Sequence, residues 1–239
     1  MDYNWDWSVL FQEPYFGWLL SGIRWTLLVA GCAWVIAFLL GSLIGVIRTL
    51  PSQLLRGIGA VYVEVFRGIP LLVQLFIWYF VVPELLPQDA GMWIKRELPL
   101  PEFTTAVVCL GTYTAARVAE QVRSGIQALS GDLANAGRAI GLTERQNYIH
   151  IRLPIAYRII IPPLTSEFLT IFKNSSLALT IGVLELTAQS RQIENYTFHG
   201  FEAFTAATVV YLVITMSVVG IMRGIDRYFR IPSSSGERR

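Results

Sequence analysis

The chain has 239 residues, of which 54% are hydrophobic and only 15% are charged. An ordinary soluble domain is less apolar and more highly charged, so insertion into a membrane is the first hypothesis. The formal net charge of +2 does not point to a nucleic-acid partner, because the basic residues follow the distribution that orients membrane proteins.

Two stretches are long and apolar enough to cross a bilayer unaided. Residues 25–47 and 203–222 contain no charged side chain, and a hydrocarbon core of about 30 Å needs roughly 20 apolar helical residues. Three further apolar stretches, near residues 58–83, 103–128 and 157–184, carry ionisable residues within them or at their edges. A soluble amphipathic helix would explain any one of these alone, but the flanking spans favour a bundle of five transmembrane helices.

The spans predict an all-α integral membrane protein that forms a single domain over residues 1–239. With the amino terminus outside, thirteen of the nineteen Lys and Arg residues fall on the inner side and four on the outer side. Because basic loops stay inside, the amino terminus is expected outside and the carboxyl terminus inside. Residues 1–7 are acidic, so the first span is not expected to be a cleaved signal peptide. The tail at 233–239 is predicted to be disordered.

Motifs for ATP hydrolysis and for common catalytic sites are absent from the sequence. The two lysines, Lys95 and Lys173, do not follow the glycine spacing of a phosphate-binding loop. The two histidines, His150 and His199, do not form a HExxH motif, and no GxSxG segment occurs. The sequence therefore predicts no catalytic residue, no metal site and no cofactor bound by this chain.

The longest inner connection, about residues 130–154, begins with signals for a short helix. Asp132 is placed to cap a helix over residues 133–140, because its side chain can accept from the first backbone N–H groups. Gly141 is placed to end that helix, because glycine adopts the left-handed conformation at low cost.

A second short helix is expected after that glycine. Thr143 and Gln146 have the spacing of a capping box, so a helix is predicted over residues 144–152, with Leu153 and Pro154 closing it. A rigid element of this kind is suited to seat in the groove of a partner and to transmit its motion. A solvated connector is the alternative, and capping signals alone do not distinguish the two.

The same connection resembles the loop of ABC transporter permeases. After Gly141 and nine intervening residues come Ile151, Arg152, Leu153 and Pro154, which matches the second half of that family's consensus. The first part departs from it, because Asn135-Ala136-Gly137 stands where the family usually has Glu-Ala-Ala. The residues that the resemblance assigns to ATPase coupling are Asn135, Ala136, Gly137, Gly141, Ile151, Leu153 and Pro154.

Three further segments resemble the polar amino acid (histidine, glutamine and glutamate) uptake branch of that family. They are residues 62–74, 173–177 and 181–187, and with the loop they extend the likeness over most of residues 17–228. The resemblance is nearest to glutamate/aspartate import permeases and implies the type I ABC importer permease fold. Glutamine, histidine or arginine as cargo, and an ATP-independent carrier, remain alternatives.

The resemblance also implies partners and a location. It implies a multi-pass subunit of the bacterial inner membrane, with a periplasmic amino terminus and a cytoplasmic carboxyl terminus. An ABC ATPase dimer would bind the loop and use the ATP, and a periplasmic amino acid-binding protein would deliver the substrate. A second permease subunit, either this chain or a similar but distinct one, would complete the pathway within the lipid bilayer.

The third apolar stretch carries the main candidate for substrate recognition. Arg117 lies within it, where a guanidinium needs a partner or a watery cavity, and its fork can bind a substrate carboxylate at two points. An ion pair with Glu120, three residues on, is the competing interpretation. The substrate-pathway candidates are Arg117, Glu120, Lys173, Asn174 and Ser175, with Glu167 as a further lining residue.

Two smaller expectations concern helix ends and bends. Glu64 and Arg67 are one turn apart, so a structural ion pair is favoured over contact with a partner subunit. Pro162 and Pro163 are expected to bend the fourth stretch, because proline removes a helix hydrogen bond.

Overall fold

The computed structural model describes residues 3–129 and 131–229, with backbone alone at 131–134 and 229. The cap predicted at Asp132 and the tail predicted at 233–239 lie outside this description. All regular structure within the described residues is helical, so the all-α prediction is confirmed. The α-helices are α1 Tyr15–Ile47, α2 Gln53–Gly68, α3 Leu71–Phe76, α4 Val82–Leu85, α5 Gln88–Arg96, α6 Pro101–Gln127, α7 Gly131–Ala139, α8 Glu144–Asn147, α9 Leu153–Asn174, α10 Leu186–Thr197 and α11 Gly200–Phe229.

Helices α1 and α6 form the most extensive packing in the fold, and they approach each other through glycine. A Cβ atom on Gly41 would lie 2.7 Å from the carbonyl oxygen of Ala115, and one on Gly45 would lie 2.7 Å from that of Ala119. On the facing helix, a Cβ on Gly111 would lie 2.8 Å from Ile36. Small residues four apart let helix backbones meet closely, which is how membrane helices gain packing energy without a hydrophobic effect between them.

Helix α6 occupies the centre of the molecule, in contact with α1, α2, α3 and α9. The main apolar core lies where α1, α3, α6 and α9 meet, and a second cluster fills the space between α6 and α9. The largest fully buried apolar side chains of these clusters are Val29, Leu75, Leu110, Ile171, Val118, Val122 and Ile126. The ionisable residues of α6 are therefore surrounded by other helices.

Among the described residues, three helical segments are long and apolar enough to cross a membrane: Tyr15–Ile47, Glu144–Ile181 and Gly200–Tyr228. They correspond to the first, fourth and fifth predicted spans, with the fourth ending three residues earlier than expected. Helix α6 has 27 residues but is not among the three, because charged residues make it less apolar. The predicted count of five spans is therefore not confirmed.

The predicted second span is not one straight helix. Its two parts, Gln53–Gly68 and Leu71–Leu85, meet at 101°, and as a single broken span they would raise the count to four. The break falls at Pro70, because proline lacks a backbone N–H and forces the preceding Ile69 into an extended conformation, φ −102° and ψ 129°. The Gln74 side chain donates to the freed carbonyl oxygens of Phe66 at 2.8 Å and Ile69 at 2.9 Å.

The connection between α6 and α9 confirms two local predictions and corrects a third. Gly141 has φ +84°, and Thr143 and Gln146 form the predicted capping box. Pro154, however, does not close the second helix. The chain continues through a π-helical turn at Tyr148–Arg152 into α9, because the wider turn accommodates the proline ring and proline is tolerated in the first turn of a helix.

The opposite end of the molecule contains two fully buried carboxylates. Glu185 caps α10 by accepting from the backbone N–H groups of Thr187 at 3.0 Å and Ala188 at 2.8 Å, and Tyr211 donates to it at 2.7 Å. Burial raises the pKa of the Glu185 carboxyl above its ordinary value despite these bonds. Glu202 accepts from the Asp6 backbone N–H at 2.9 Å, which fastens the amino-terminal segment to the start of α11.

We expect Gly41→Leu to destabilise the protein by about 1–3 kcal/mol, because an added side chain would push α1 away from α6. Gly31→Leu in the same helix is the matched control, since a Cβ there meets no atom within 4 Å. Thermal unfolding of the detergent-solubilised protein, followed by size-exclusion chromatography, measures both. Equal unfolding temperatures for the two variants would show that close approach at Gly41 is unimportant.

Candidate functional site

Arg117 forms an ion pair between α6 and α9. Its Nε atom lies 2.6 Å from Oε2 of Glu167. The Glu167 side chain is only 9% exposed, whereas that of Arg117 is 39% exposed. The pair therefore holds the guanidinium in place while leaving part of it accessible.

The competing prediction of an ion pair between Arg117 and Glu120 is wrong. Glu120 instead binds Arg48 at the end of α1, with Nη1 to Oε2 at 2.6 Å, and Arg123 on its own helix. The three-residue spacing that suggested Arg117 as the partner of Glu120 applies equally to Arg123. Glutamate on the amino-terminal side of its cationic partner is the more favourable order in a helix, which favours Arg123 over Arg117. Because Glu120 also binds Arg48, it connects the end of α1 to α6.

The other pathway candidates lie at the end of α9 and just beyond it. Lys173 is exposed, and it forms no ion pair with any described residue. Ser175 is buried and its hydroxyl donates to the Phe172 carbonyl oxygen at 2.7 Å, so its donor is already used. Asn174 is half-buried. The pathway roles of these three residues stay predictions.

Glu64 and Arg67 do not form the expected ion pair. Both side chains are exposed on α2, and none of the ion pairs among the described residues includes either. The apolar side chains around them on α2, Ile58, Val61 and Val65, are exposed as well. Helix α2 therefore presents both charges and an apolar surface outward.

The departures from the family loop consensus have a structural account. Gly137 is buried, and a Cβ there would lie 2.7 Å from the side chain of Asn147, so α7 packs onto α8 only without one. Asn135 accepts from Nη1 of Arg138 at 3.1 Å, and Nε of Arg138 lies 2.5 Å from Glu144. Gly137 therefore lets α7 pack against α8, and the Arg138–Glu144 pair joins the two helices. The Asn135 bond stays within α7.

The loop is also fixed to the helices of the membrane domain. The hydroxyls of Tyr148 and Thr49 form a hydrogen bond, and Thr49 follows the end of α1. The Arg152 guanidinium lies over the Tyr148 ring, 5.5 Å from its centroid. Because the helix runs on into α9, a displacement of the loop would move the helix that carries Glu167.

Sequence reasoning missed two polar residues that shape the centre of the fold. Gln74 donates hydrogen bonds to the carbonyl groups left free where the helix breaks before Pro70. Tyr62 donates to the Thr112 carbonyl oxygen on α6 at 2.6 Å. Both lie in the 62–74 segment that carries the family resemblance. The glutamine four residues after Pro70 is a usable signal, because a helix broken at proline leaves carbonyl groups that need a donor.

This arrangement is that of a multi-pass transport subunit: apolar helices around a charged centre, with a rigid helical loop at one end. The chain belongs to the family of binding-protein-dependent transport system inner membrane components, which matches residues 14–231. It is an inner-membrane permease subunit of an ABC importer and not an enzyme, since ATP hydrolysis in this family belongs to a separate subunit.

Particular relatives are similar along nearly the whole chain. The glutamate/aspartate import permease protein GltJ of Escherichia coli K12 is 44% identical and covers 99% of both chains. The probable glutamine ABC transporter permease protein GlnM of Bacillus subtilis is 36% identical, over 87% of this chain and 91% of its own. The crystal structure of an amino acid ABC transporter with histidines matches with a TM-score of 0.80 and 28% identity, over 95% of this chain and 100% of that chain.

We expect the Arg117–Glu167 pair to show thermodynamic coupling. Arg117→Met leaves a buried carboxylate unpaired and should cost about 1–3 kcal/mol, whereas Arg117→Met with Glu167→Met should cost less than the sum of the single changes. Unfolding of the purified protein measures the cycle. Lys173→Met, which removes an exposed cation, is the control and should change stability little. Strict additivity of the two changes would contradict the pair.

Proposed function

We propose that the chain imports glutamate and aspartate from the periplasm to the cytoplasm as part of an ATP-driven complex. The 44% identity to GltJ over 99% of both chains is the observation that carries this proposal. The charge of the central site agrees with it, because a partly accessible guanidinium attracts a carboxylate cargo.

Arg117 is the proposed substrate ligand. Glu167 contacts its Nε, and Tyr113 forms a side-chain hydrogen bond with the same guanidinium. Because a guanidinium has five N–H donors, donors remain for a carboxylate. Glu167 would orient the fork before the substrate arrives, which lowers the entropy lost on binding. Glu167 therefore acts as a positioning residue and as a competitor for the same cation.

Alternating access would use the continuous helix from α8 to α9. Closure of the ATPase dimer would push the loop, and the push would reach Glu167 because Tyr148 and Arg152 join the loop to α9 without a break. Separation of Glu167 from Arg117 would then change the affinity of Arg117 for the substrate carboxylate. A two-state element of this kind is what a coupled transporter needs.

The proposed complex contains further subunits. An ATPase dimer would bind the loop through Asn135, Ala136, Ile151, Leu153 and Pro154, assisted by Ile140, which is 75% exposed. A second permease, similar but distinct, would complete the pathway, and a periplasmic binding protein would dock at the opposite end. The amino terminus would be periplasmic and the carboxyl terminus cytoplasmic, and ATP would be used only by the ATPase.

Glutamine is the second candidate cargo, because GlnM and other relatives bear glutamine permease names. Reconstitution of the complex with its binding protein in proteoliposomes tests the choice. With ATP inside the vesicles, uptake of labelled glutamate should saturate and should be competed by aspartate but not by glutamine, histidine or arginine. Uptake that persists without ATP while an ion gradient is held would instead identify an ATP-independent carrier.

Arg117→Lys keeps the charge but loses the fork, so we expect the KM for glutamate to rise by roughly tenfold or more, the equivalent of one charged hydrogen bond. Uptake into the same proteoliposomes measures the effect. Arg123→Lys is the control on the same helix, because Arg123 binds Glu120. Unchanged glutamate uptake in Arg117→Lys would reject the ligand role.

Gly137→Ala restores the usual family residue, yet we expect it to lower ATP-driven uptake several-fold, because the added methyl group would collide with Asn147 and separate the loop helices. The ratio of glutamate taken up to ATP hydrolysed is the measurement. Asn147→Ser in the same chain should restore coupling by making room. Gly57→Ala, where a Cβ meets no atom within 4 Å, controls for the added methyl group. Normal coupling in Gly137→Ala would contradict the proposed role of this contact.

A further inference from the structure

An apolar cleft of about 560 Å³ lies between α1, α9 and α11. Trp34 and Phe38 line it from α1, Tyr157 and Ile161 from α9, and Met222 from α11. Its volume falls in the range of pockets that hold small-molecule ligands, about 300–1,000 Å³. The Arg117–Glu167 pair does not line it, so the cleft is separate from the candidate substrate site.

The walls of the cleft suit a hydrocarbon chain. The ring centroids of Trp34 and Phe38 lie 6.3 Å apart, and those of Phe38 and Tyr157 lie 6.0 Å apart, which makes one wall aromatic along its length. On α9 the lining positions recur at intervals of three and four residues, as one face of a helix does. A polar amino acid would lose its hydrogen bonds to water here without replacing them, so the cleft is unsuited to the transported substrate.

The cleft lies within the membrane-spanning part of the fold. The helices that form it belong to the three segments long and apolar enough to span a membrane. Pro154, in the first turn of α9, lines the end nearest the loop, and Leu164 lies about three turns farther along the same helix. The cleft therefore runs from the loop side of the membrane toward its interior.

Arg158 is the charged residue that lines this cleft. It lies one turn after Pro154 and one turn before Ile161, so its guanidinium is near the loop end, where lipid headgroups lie. Its side chain is exposed, and among the residues whose side chains the structure describes none forms an ion pair with it. A cation at the membrane edge attracts lipid phosphate.

We propose that this cleft binds one anionic phospholipid. The phosphate group binds Arg158, and an acyl chain lies against Trp34, Phe38 and Tyr157. The lipid bridges α9 to α1 and α11 at the end where the loop joins the membrane domain. The site is independent of which amino acid is transported.

Native mass spectrometry of the intact complex tests the proposal, with phosphatidylglycerol and phosphatidylethanolamine of identical acyl chains as the probes. The unmodified protein should bind its first phosphatidylglycerol about fivefold more tightly than phosphatidylethanolamine, which corresponds to about 1 kcal/mol for one basic residue. Arg158→Gln should remove this preference. Arg223→Gln, which removes an exposed cation beside Met222, should keep it.

A second pair of variants tests the acyl chain. Ile161→Trp and Met222→Trp fill the cleft from opposite walls without changing its charge, so either should abolish the first binding event for both lipids. Each variant must elute and unfold like the unmodified complex, and having two guards against misfolding of one. Inorganic phosphate in millimolar excess should not displace the lipid.

Three results would overturn the assignment. The first is an unchanged lipid preference in Arg158→Gln, and the second is full lipid binding in a correctly folded tryptophan variant. The third is displacement by inorganic phosphate, which would identify a site for free anions rather than for a lipid.

Discussion

Close packing of α1 against α6 sets the positions of the other helices and of the charged residues between them. In a bilayer no hydrophobic effect drives apolar helices together, so contact must come from dense packing. Gly41 and Gly45 supply it by letting the α1 backbone reach the carbonyl groups of α6. This contact places α6 at the centre, where Arg117 and Glu120 pair with charged residues from neighbouring helices. Glu120 then finds Arg48 on α1, and Arg117 finds Glu167 on α9.

The central position of α6 explains why the two charged clusters have different roles. Glu120 has two cationic partners near the loop end of α6, and it holds the ends of two helices together. Arg117 has one carboxylate partner and remains partly exposed, so it has donors left for another anion. The helix that carries this carboxylate is continuous with the loop. A continuous helical segment therefore connects the surface proposed for the ATPase with the partner of the residue proposed to hold the substrate.

Backbone capping signals in the sequence were reliable guides to local structure, whereas ion pairs predicted from spacing within one helix were not. The capping box at Thr143 and the left-handed Gly141 formed as predicted, because the atoms involved are within a few residues of each other. The errors in predicted helix ends arose at prolines, because a proline can either break a helix or be accommodated in it. Pro70 breaks a stretch predicted as one span, whereas Pro154 is absorbed by a π-helical turn in a helix predicted to end. Proline only forbids a hydrogen bond, and the neighbouring turns decide how the chain responds.

The membrane class, most of the apolar stretches, the capping of the loop helices and the resemblance to amino acid permeases could all be recognised from the amino-acid sequence, since each depends on composition or on short spacings. The partners of the charged residues became known from the tertiary structure. Arg117 and Glu167 are 50 residues apart, and periodicity within one helix could suggest only Glu120. It also explained Gly137, whose missing side chain makes room for Asn147. Contacts between distant segments depend on how the helices pack, and the spacing of residues within one helix contains no information about that packing.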